Sequence, residues 1–365
     1  MKTKHLTRNA NLELLRIVCM LMIVFAHCIG HGGIVDATTS SPVNHQIIVM
    51  LRTFISVLIN CFVLISGYFL SQSEFKFRKW LELWLSSAFW SVVLAVICMA
   101  SGAVPFSFIE LAKAFLPFTQ QQYWFVTTYL LMYLLVPFLN AAIRNLTQKQ
   151  YFGFLLVSFI AYFVLQNIVF WRDFTLLSSH SPFFFAYLYM IAAYIRRFPP
   201  KKKKLWLLGY VLCCVGARLS DLLIKAVAGP LSASFNSTAY NSVLIIMASI
   251  CLFMTFLSME IKSVFLTKII LTVSPLTFGV YLIHDNNHLR SVLWRSLFDP
   301  EKLAANPFVV PIVIGISVLV FLACLPLEAL RKKIFSICRL SKLCAWGESI
   351  IYRIIDQIYN CILGV

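Results

Sequence analysis

The stretch Arg16-Ile-Val-Cys-Met-Leu-Met-Ile-Val-Phe-Ala-His27 decides how this chain can fold, because it places two ionisable side chains inside an apolar run. That run, residues 12–30, is long enough to cross a bilayer as a helix. Ionisable groups at such positions are costly to bury and usually face a protein interior or a water-filled cavity. We therefore treat Arg16 and His27 as candidate functional residues.

The spacing of Arg16 and His27 predicts that both side chains lie on one helix face. Eleven steps make about three turns at 3.6 residues per turn, and they separate the two positions by roughly 16 Å along the axis. A guanidinium group suits phosphate, and an imidazole can accept a proton near neutral pH. Acyl-coenzyme A, with a phosphate-rich handle and a narrow reactive arm, would fit this pair. The alternative is an arginine that reaches the membrane surface beside Glu13, together with an interfacial histidine.

Composition assigns the chain to the integral membrane proteins. Of its 365 residues, 60% are hydrophobic and 12% are charged, and the mean hydropathy is +0.84, far from the balance of a soluble domain. The net charge of +17 comes from short basic clusters between apolar runs, a pattern that encodes membrane topology. We therefore expect no nucleic-acid partner. The eleven cysteines contain no CxxC motif and are interpreted as small core residues.

Ten apolar stretches are long enough to cross, or nearly cross, a bilayer. Lysine and arginine cluster in alternate connections between them, which is how cytoplasmic segments are marked. An odd number of spans would destroy this alternation. We therefore expect an all-α polytopic membrane protein with about ten transmembrane helices and both termini cytoplasmic. The predicted spans are residues 12–30, 51–70, 81–102, 123–142, 151–171, 183–198, 205–224, 241–258, 269–287 and 308–329.

The end of the chain has a different pattern. Glu328 and Arg331, which close the last span, are interpreted as an interfacial ion pair. Residues 331–365 begin basic and then repeat isoleucine at helical spacing. We divide the chain into a membrane domain, residues 1–330, and a cytoplasmic tail, residues 331–365, whose amphipathic helix either lies on the inner leaflet or joins copies of the chain. The repeated residues are Ile351, Ile354, Ile355, Ile358 and Ile362.

Several motifs together resemble one known family. Asn11-Leu-Glu-Leu-Leu-Arg16 followed by His27 is similar to the R-x10-H signature of the acyltransferase family 3 membrane proteins. The resemblance covers essentially the whole chain. The other motifs that agree are Phe62-Val-Leu-Ile-Ser66-Gly67-Tyr68 at the end of the second span, Tyr123-Trp124-Phe125 opening the fourth with Pro137 closing it, and Gly279-Val-Tyr281-Leu-Ile-His284 late in the ninth.

The resemblance implies a multi-pass O-acyltransferase of a plasma membrane, in a bacterium. The acyl group, usually acetyl, would come from cytoplasmic acyl-coenzyme A, so acetyl-coenzyme A is the expected co-substrate. The acceptor would be a hydroxyl of a cell-surface or lipid-linked polysaccharide. Membrane lipid and this glycan are therefore the expected partners.

The resemblance also suggests residues for the donor side. Arg16 and His27 are the expected catalytic residues, and Arg16 would hold coenzyme A phosphates. Arg78 and Lys79, in the first inner loop, are candidates for the same phosphates, although the positive-inside pattern alone would place basic residues there.

Two residues of the second-span motif are further candidates for the cofactor site. They are Ser66 and Tyr68, which lie on either side of Gly67. Small residues at this position also suit ordinary helix packing in a membrane, which is the alternative interpretation.

The acceptor side has three candidate substrate-binding residues. Trp124 could stack on a sugar ring, although tryptophan is common at membrane interfaces in any case. Tyr281 and His284 lie late in the ninth span, with His284 at a depth similar to that of His27. The polar run that follows His284 could hydrogen-bond a sugar or cap a helix.

Two pairs of histidines raise the alternative of a zinc-dependent membrane hydrolase. His27 and His31, like His284 and His288, are spaced four residues apart, as in helical metal sites. Neither pair has the glutamate of an H-E-x-x-H motif, and the first pair runs into a glycine-rich stretch where the helix is expected to end. We therefore expect no metal.

A transporter or flippase for lipid-linked glycans is the alternative function. Such a protein could use the same intramembrane polar residues to line a pathway. Transporters often consist of two related halves with interrupted helices. The sequence shows no such internal symmetry, which favours the acyltransferase.

Overall fold

We describe the chain from a computed structural model, which covers residues 9–168, 178–200, 205–229 and 235–363. These residues form helices and connecting turns, with no β-strand among them. The predicted all-α fold is therefore confirmed. The helices are α1 Ala10–His31, α2 Ile34–Ala37, α3 Pro42–Ile55, α4 Leu58–Leu70, α5 Phe77–Ala100, α6 Phe108–Ala114, α7 Trp124–Asn145, α8 Gln148–Phe159, α9 Leu165–Ile168, α10 Pro182–Arg197, α11 Trp206–Ala228, α12 Val243–Ser258, α13 Val264–Val273, α14 Thr277–His284, α15 Asn287–Leu297, α16 Pro300–Ala304, α17 Val309–Ile337 and α18 Leu340–Leu363.

Seven helical segments within the described ranges are long and apolar enough to cross a membrane. The helix α12 is apolar but shorter. The end of the predicted fifth span, residues 169–171, and the basic residues at 2–8 and 201–204 lie outside the described residues. The spanning segments are Ala10–His31, Pro42–Leu70, Phe77–Ala100, Trp124–Asn145, Trp206–Ala228, Val264–His284 and Val309–Ile337.

Two of these spans are interrupted, each for a local chemical reason. Between α3 and α4 the chain makes a turn at residues 56–57, where the Ser56 hydroxyl donates to the carbonyl of Arg52 at 2.8 Å. Such bonds back to the preceding turn bend helices. Between α13 and α14, Pro275 sits in a 3-10 turn, Ser274–Leu276, because its ring removes one amide donor from the helical ladder. Proline does not interrupt α7, however, which continues past Pro137 to Asn145 rather than closing there.

The helix α1 lies at the centre of the bundle and packs against α4, α12, α14 and α17. Its Leu12, Leu15 and Cys19 are fully buried. At its start, the side-chain amide of Asn11 donates to the carbonyl of Phe256 at the end of α12, at 2.8 Å. These contacts hold α1 in a fixed position within the bundle.

A buried ion pair joins three helices near α1. The carboxylate of Glu328, on α17, accepts hydrogen bonds from the indole of Trp90 at 2.9 Å and from Arg331 Nε at 2.8 Å. The predicted ion pair is therefore confirmed, and it is enclosed by protein, with Glu328 1% exposed and Arg331 5% exposed. The pair is enclosed because Gly279, on α14, leaves room for the carboxylate.

The first residues of the predicted tail continue α17 to Ile337, and the rest form the helix α18, which packs along α5. The carboxylate of Glu348 accepts a hydrogen bond from the backbone amide of Arg78 at 3.1 Å, in the first turn of α5. A negative charge at a helix N-terminus is favourable, so this contact fixes the tail against the membrane domain. The isoleucines at 354, 355, 358 and 362 remain exposed, which is consistent with a lipid-facing surface.

We predict that Gly279→Ala lowers the thermal stability of the purified protein in detergent. A Cβ at this position would lie 2.1 Å from Glu328 Cδ, so the carboxylate must leave Arg331 and Trp90. Disrupting a buried ion pair costs up to about 3–5 kcal/mol. The matched control is Gly315→Ala on α17, where an added Cβ meets no atom within 4 Å. Equal melting temperatures for the two variants would contradict this assignment.

Candidate functional site

Four residues of α1, two polar and two apolar, form a stripe that lines two adjoining cavities. Arg16, Met20 and Ile23 line a cavity of about 200 Å³, which we call the Arg16 cavity. Ile23 and His27 line a larger cavity of about 530 Å³, which we call the His27 cavity. The helical spacing of these residues puts them on one face, as predicted for Arg16 and His27.

The two cavities share four lining residues, which form the boundary between them: Ile23, Ile59, Phe125 and Tyr281. Tyr281 is only 4% exposed, and its ring lies 6.4 Å from that of His27. The hydroxyl lies near the Phe125 backbone but has no hydrogen-bond partner of acceptable geometry in the described structure. An unpaired buried hydroxyl is costly, so Tyr281 is available to bond a ligand at the boundary.

The Arg16 cavity combines one cation with small hydroxyl groups. Arg16 Nε lies 3.3 Å from a carboxylate oxygen of Glu13, and the arginine side chain is 30% exposed. Ser66 and Tyr129 line the same cavity. So does Ser274, whose buried hydroxyl finds no partner in the part of the chain that the structure describes. These groups offer hydrogen bonds to a polar, anionic ligand.

The orientation of His27 follows from a chain of two hydrogen bonds. His284 Nδ1 lies 2.6 Å from the carbonyl of Val280, and since a carbonyl only accepts, this nitrogen carries the proton. In neutral His284 the other nitrogen, Nε2, is then an acceptor. It lies 2.9 Å from His27 Nδ1, which must therefore donate. His27 lines the cavity, and its Nε2 keeps a lone pair that can accept a proton or attack an electrophile.

Asp285 supplies a negative charge beside these histidines. Its Oδ1 lies 3.5 Å from His27 Nδ1, 3.5 Å from His31 Nε2 and 3.4 Å from Arg290. Burial alone would raise the pKa of Asp285, but the three histidines and Arg290 outweigh it and lower this pKa to about 2. The carboxylate is therefore ionised and can stabilise a positive charge that develops on His27.

The structure places Trp124 in the His27 cavity together with His27 itself. Its indole is stacked on the ring of Tyr240, with centroids 6.2 Å apart, and meets the ring of His180 edge-on at 4.2 Å. Three aromatic rings thus form one wall. Such a surface suits the apolar face of a sugar ring, as predicted for Trp124 from the sequence.

The predicted donor-side residues divide into two groups. Ser66 lines the Arg16 cavity, but Tyr68 does not. The Tyr68 hydroxyl instead accepts a hydrogen bond from Arg196 at 2.8 Å. Between these two residues, an added Cβ on Gly67 would lie 2.8 Å from Tyr189 Cα, so close helix packing explains much of this motif.

Arg78 and Lys79 lie outside the lining of the Arg16 cavity. They belong to the first turn of α5, and Leu83, one turn further along, is a lining residue. Residues four apart share a helix face. Lys79 is therefore directed toward the same side of α5 as Leu83, beyond the cavity itself.

In the structure, the hydrogen-bond partners of His284 are groups of the protein itself. Its ring is fully buried, and both ring nitrogens are occupied, by His27 and by the carbonyl of Val280. The ring therefore has no unoccupied nitrogen for the acceptor in this structure, and substrate binding by His284 stays a prediction. His284 positions His27.

The polar residues that follow His284 have different roles in the structure. Asn286 caps α15 by accepting from the amides of His288 and Leu289. The structure also groups His27, His31 and Asp285, whose potential ligand atoms lie within 4.8 Å of one another and could hold a metal ion. This set differs from the predicted histidine pairs, since Asp285 takes part and His288 lines a separate cavity.

Several residues of the site were missed by sequence reasoning. The Arg16 cavity is also lined by Tyr129, Ser274 and Thr277. Tyrosine, serine and threonine do not by themselves mark a functional site in a sequence. Arg52 and Tyr240 line the His27 cavity. Arg52 could have been identified, because an arginine within an apolar span is itself a functional signal.

Comparison with known proteins gives one match. The family model described as an acyltransferase domain, of acyltransferase family 3, matches residues 9–327. No curated protein and no solved structure matches the chain. The matched range contains both cavities and all of α1. With its apolar spanning helices, the chain thus belongs to acyltransferase family 3 and is a membrane acyltransferase.

Proposed function

We propose that the protein is an O-acyltransferase that moves an acyl group, acetyl in the simplest case, from acetyl-coenzyme A to a glycan hydroxyl. The acceptor is a cell-surface or lipid-linked polysaccharide. The observation that supports this proposal most is the meeting of two cavities at Phe125 and Tyr281, one lined by Arg16 and the other by His27. Donor and acceptor can then enter from opposite sides and react at one place.

The topology in this proposal has ten spans and both termini in the cytoplasm of a bacterium, as the distribution of basic residues predicts. The Arg16 end of α1 then faces the cytoplasm, where acetyl-coenzyme A is made. The His27 end faces the outer side of the plasma membrane, where surface glycans are assembled. Membrane lipid surrounds the apolar helices.

On the donor side, Arg16 binds a phosphate or another polar group of coenzyme A. Its planar guanidinium can donate paired hydrogen bonds to phosphate oxygens. Lys79 and Arg78 attract the remaining phosphates from outside the cavity. The arm of coenzyme A extends along the stripe of α1, a distance of roughly 16 Å from Arg16 to His27.

On the acceptor side, His27 Nε2 takes the proton of the glycan hydroxyl as its oxygen attacks the thioester carbonyl carbon. The carbon–sulfur bond breaks, and the proton passes to the departing thiolate, which leaves as coenzyme A. His27 Nδ1 stays bonded to His284, and Asp285 stabilises the imidazolium while it exists. The Tyr281 hydroxyl donates a hydrogen bond to the carbonyl oxygen.

A second route uses the same lone pair of His27. In this route the nitrogen first accepts the acyl group and then passes it to the glycan. Acyl-enzyme that accumulates when labelled donor is supplied without acceptor indicates the carrier route. Its absence indicates direct transfer.

The grouping of His27, His31 and Asp285 favours a second candidate function, metal-dependent hydrolysis at the same place. Arg290 opposes this candidate because its positive charge lies 3.4 Å from the same carboxylate oxygen. Metal analysis of the purified protein, together with activity in the presence of a chelator, distinguishes the two. The transporter alternative is disfavoured by membership in an acyltransferase family.

We predict that His27→Ala lowers glycan acylation by about 10²- to 10⁴-fold, the usual contribution of a general base. His284→Ala should also lower kcat, because His27 loses the acceptor that fixes its tautomer, while the KM for acetyl-coenzyme A stays near the wild-type value. The measurement is transfer of labelled acetyl by purified protein.

The control for these variants is His288→Ala, since His288 lines neither of the two cavities. It should retain wild-type activity. Full activity in His27→Ala would contradict the proposed mechanism, and full activity in His284→Ala would contradict the positioning role.

We predict that Arg16→Ala raises the dissociation constant for acetyl-coenzyme A by about ten- to a hundredfold, the worth of a charge-assisted hydrogen bond. Arg16→Lys should also bind more weakly, because an ammonium group cannot donate two parallel hydrogen bonds. Calorimetry on the purified protein measures both. Arg144→Ala, an exposed arginine of α7 outside both cavities, is the control, and donor affinity unchanged in Arg16→Ala would refute the phosphate role.

A further inference from the structure

Arg52 differs from three other arginines that lie within the spanning helices, away from the helix ends. Arg16, Arg218 and Arg331 each have a carboxylate partner three residues away on their own helix: Glu13, Asp221 and Glu328 respectively. Arg52 lies in the segment Pro42–Leu70 and has no carboxylate within ion-pair distance among the described residues. A charge inside a span is normally paired or faces a cavity, so a partner for Arg52 is to be sought in the cavity that it lines.

The side chain of Arg52 is exposed and lines the His27 cavity. Its charge acts on the Tyr240 hydroxyl, whose ring stacks on Trp124. Arg52 therefore belongs to the same wall as the aromatic residues that suit a sugar ring. A ligand that stacks on Trp124 comes within reach of this cation.

Among the described residues that line the His27 cavity, Arg52 is the one that carries a permanent positive charge. Burial lowers the pKa of His180, which favours the neutral ring. Asp36 also lines the cavity, but it forms no ion pair with Arg52 within the described structure. Asp285, the carboxylate close to the histidines, already forms an ion pair with Arg290. The guanidinium thus remains free to bind an anion brought in by the substrate.

We propose that the acceptor glycan is anionic and that Arg52 binds its negative group while His27 receives the proton of the reacting hydroxyl. This inference rests on the proposed acyl transfer and specifies its substrate class. The anion is either a carboxylate, as on a uronic acid, or a phosphate, as on a phosphorylated sugar or a lipid carrier. A guanidinium binds both groups in the same bidentate manner.

The experiment uses purified protein, labelled acetyl-coenzyme A and the surface glycan isolated from the cells that produce the protein. One portion of the glycan is treated with carbodiimide and borohydride, which reduces its carboxylates to alcohols. Another portion is treated with hydrofluoric acid, which removes its phosphates. The wild-type protein, Arg52→Gln and Arg52→Lys are each assayed with all three glycans.

We expect one of the two treatments to lower transfer by the wild-type protein about ten- to a hundredfold, and the treatment that does so identifies the anion. Arg52→Gln should raise the KM for untreated glycan to a similar extent, with little change in kcat, and should be insensitive to the same treatment. Arg52→Lys should recover part of the loss. A general structural defect would not show this dependence on the glycan.

Two results would overturn the proposal of an anionic acceptor. One is full transfer to both treated glycans by the wild-type protein, and the other is an unchanged KM in Arg52→Gln. A different result, in which no glycan receives label from the wild-type protein, would reject the proposed acyl transfer and this inference with it.

Discussion

The hydrogen bond between His27 Nδ1 and His284 Nε2, 2.9 Å long, is the interaction on which the site depends. It joins α1 to α14 and sets which nitrogen of His27 carries the proton. The carbonyl of Val280 fixes its direction, because it can only accept from His284. Without this bond, the position of the His27 lone pair would not be defined. Asp285 would then have no fixed positive charge on His27 to stabilise.

The same rule governs the remaining polar groups of the spans, since a charge in the membrane needs a partner or a cavity. Glu328 and Arg331 satisfy it by pairing, at a place where Gly279 leaves space. Arg16 satisfies it partly through Glu13 and partly by facing a cavity. The two interrupted spans serve this arrangement, because Ser56 lines the His27 cavity and Pro275 lines the Arg16 cavity.

The sequence predicted those features that depend on periodicity and composition. The helical fold, the shared face of Arg16 and His27, and the amphipathic helix of the tail all follow from spacing along one helix. Motifs also marked Trp124 and Ser66, which line the two cavities. What could not be predicted depends on contacts between distant helices. The burial of Glu328, the pairing of Tyr68 with Arg196 and the engagement of His284 by His27 are set by packing that no local pattern encodes.

The central claim is that one molecule of acyl-coenzyme A extends from Arg16 to His27 through the boundary at Phe125 and Tyr281. A cryo-electron microscopy structure with a non-hydrolysable thioether analogue of acetyl-coenzyme A tests it most directly. The account predicts phosphate density at the Arg16 end, the arm passing through the boundary of the two cavities, and the thioether sulfur with its acyl group beside His27. Density for the analogue that avoids the Arg16 cavity, or that leaves the thioether remote from His27, would contradict it.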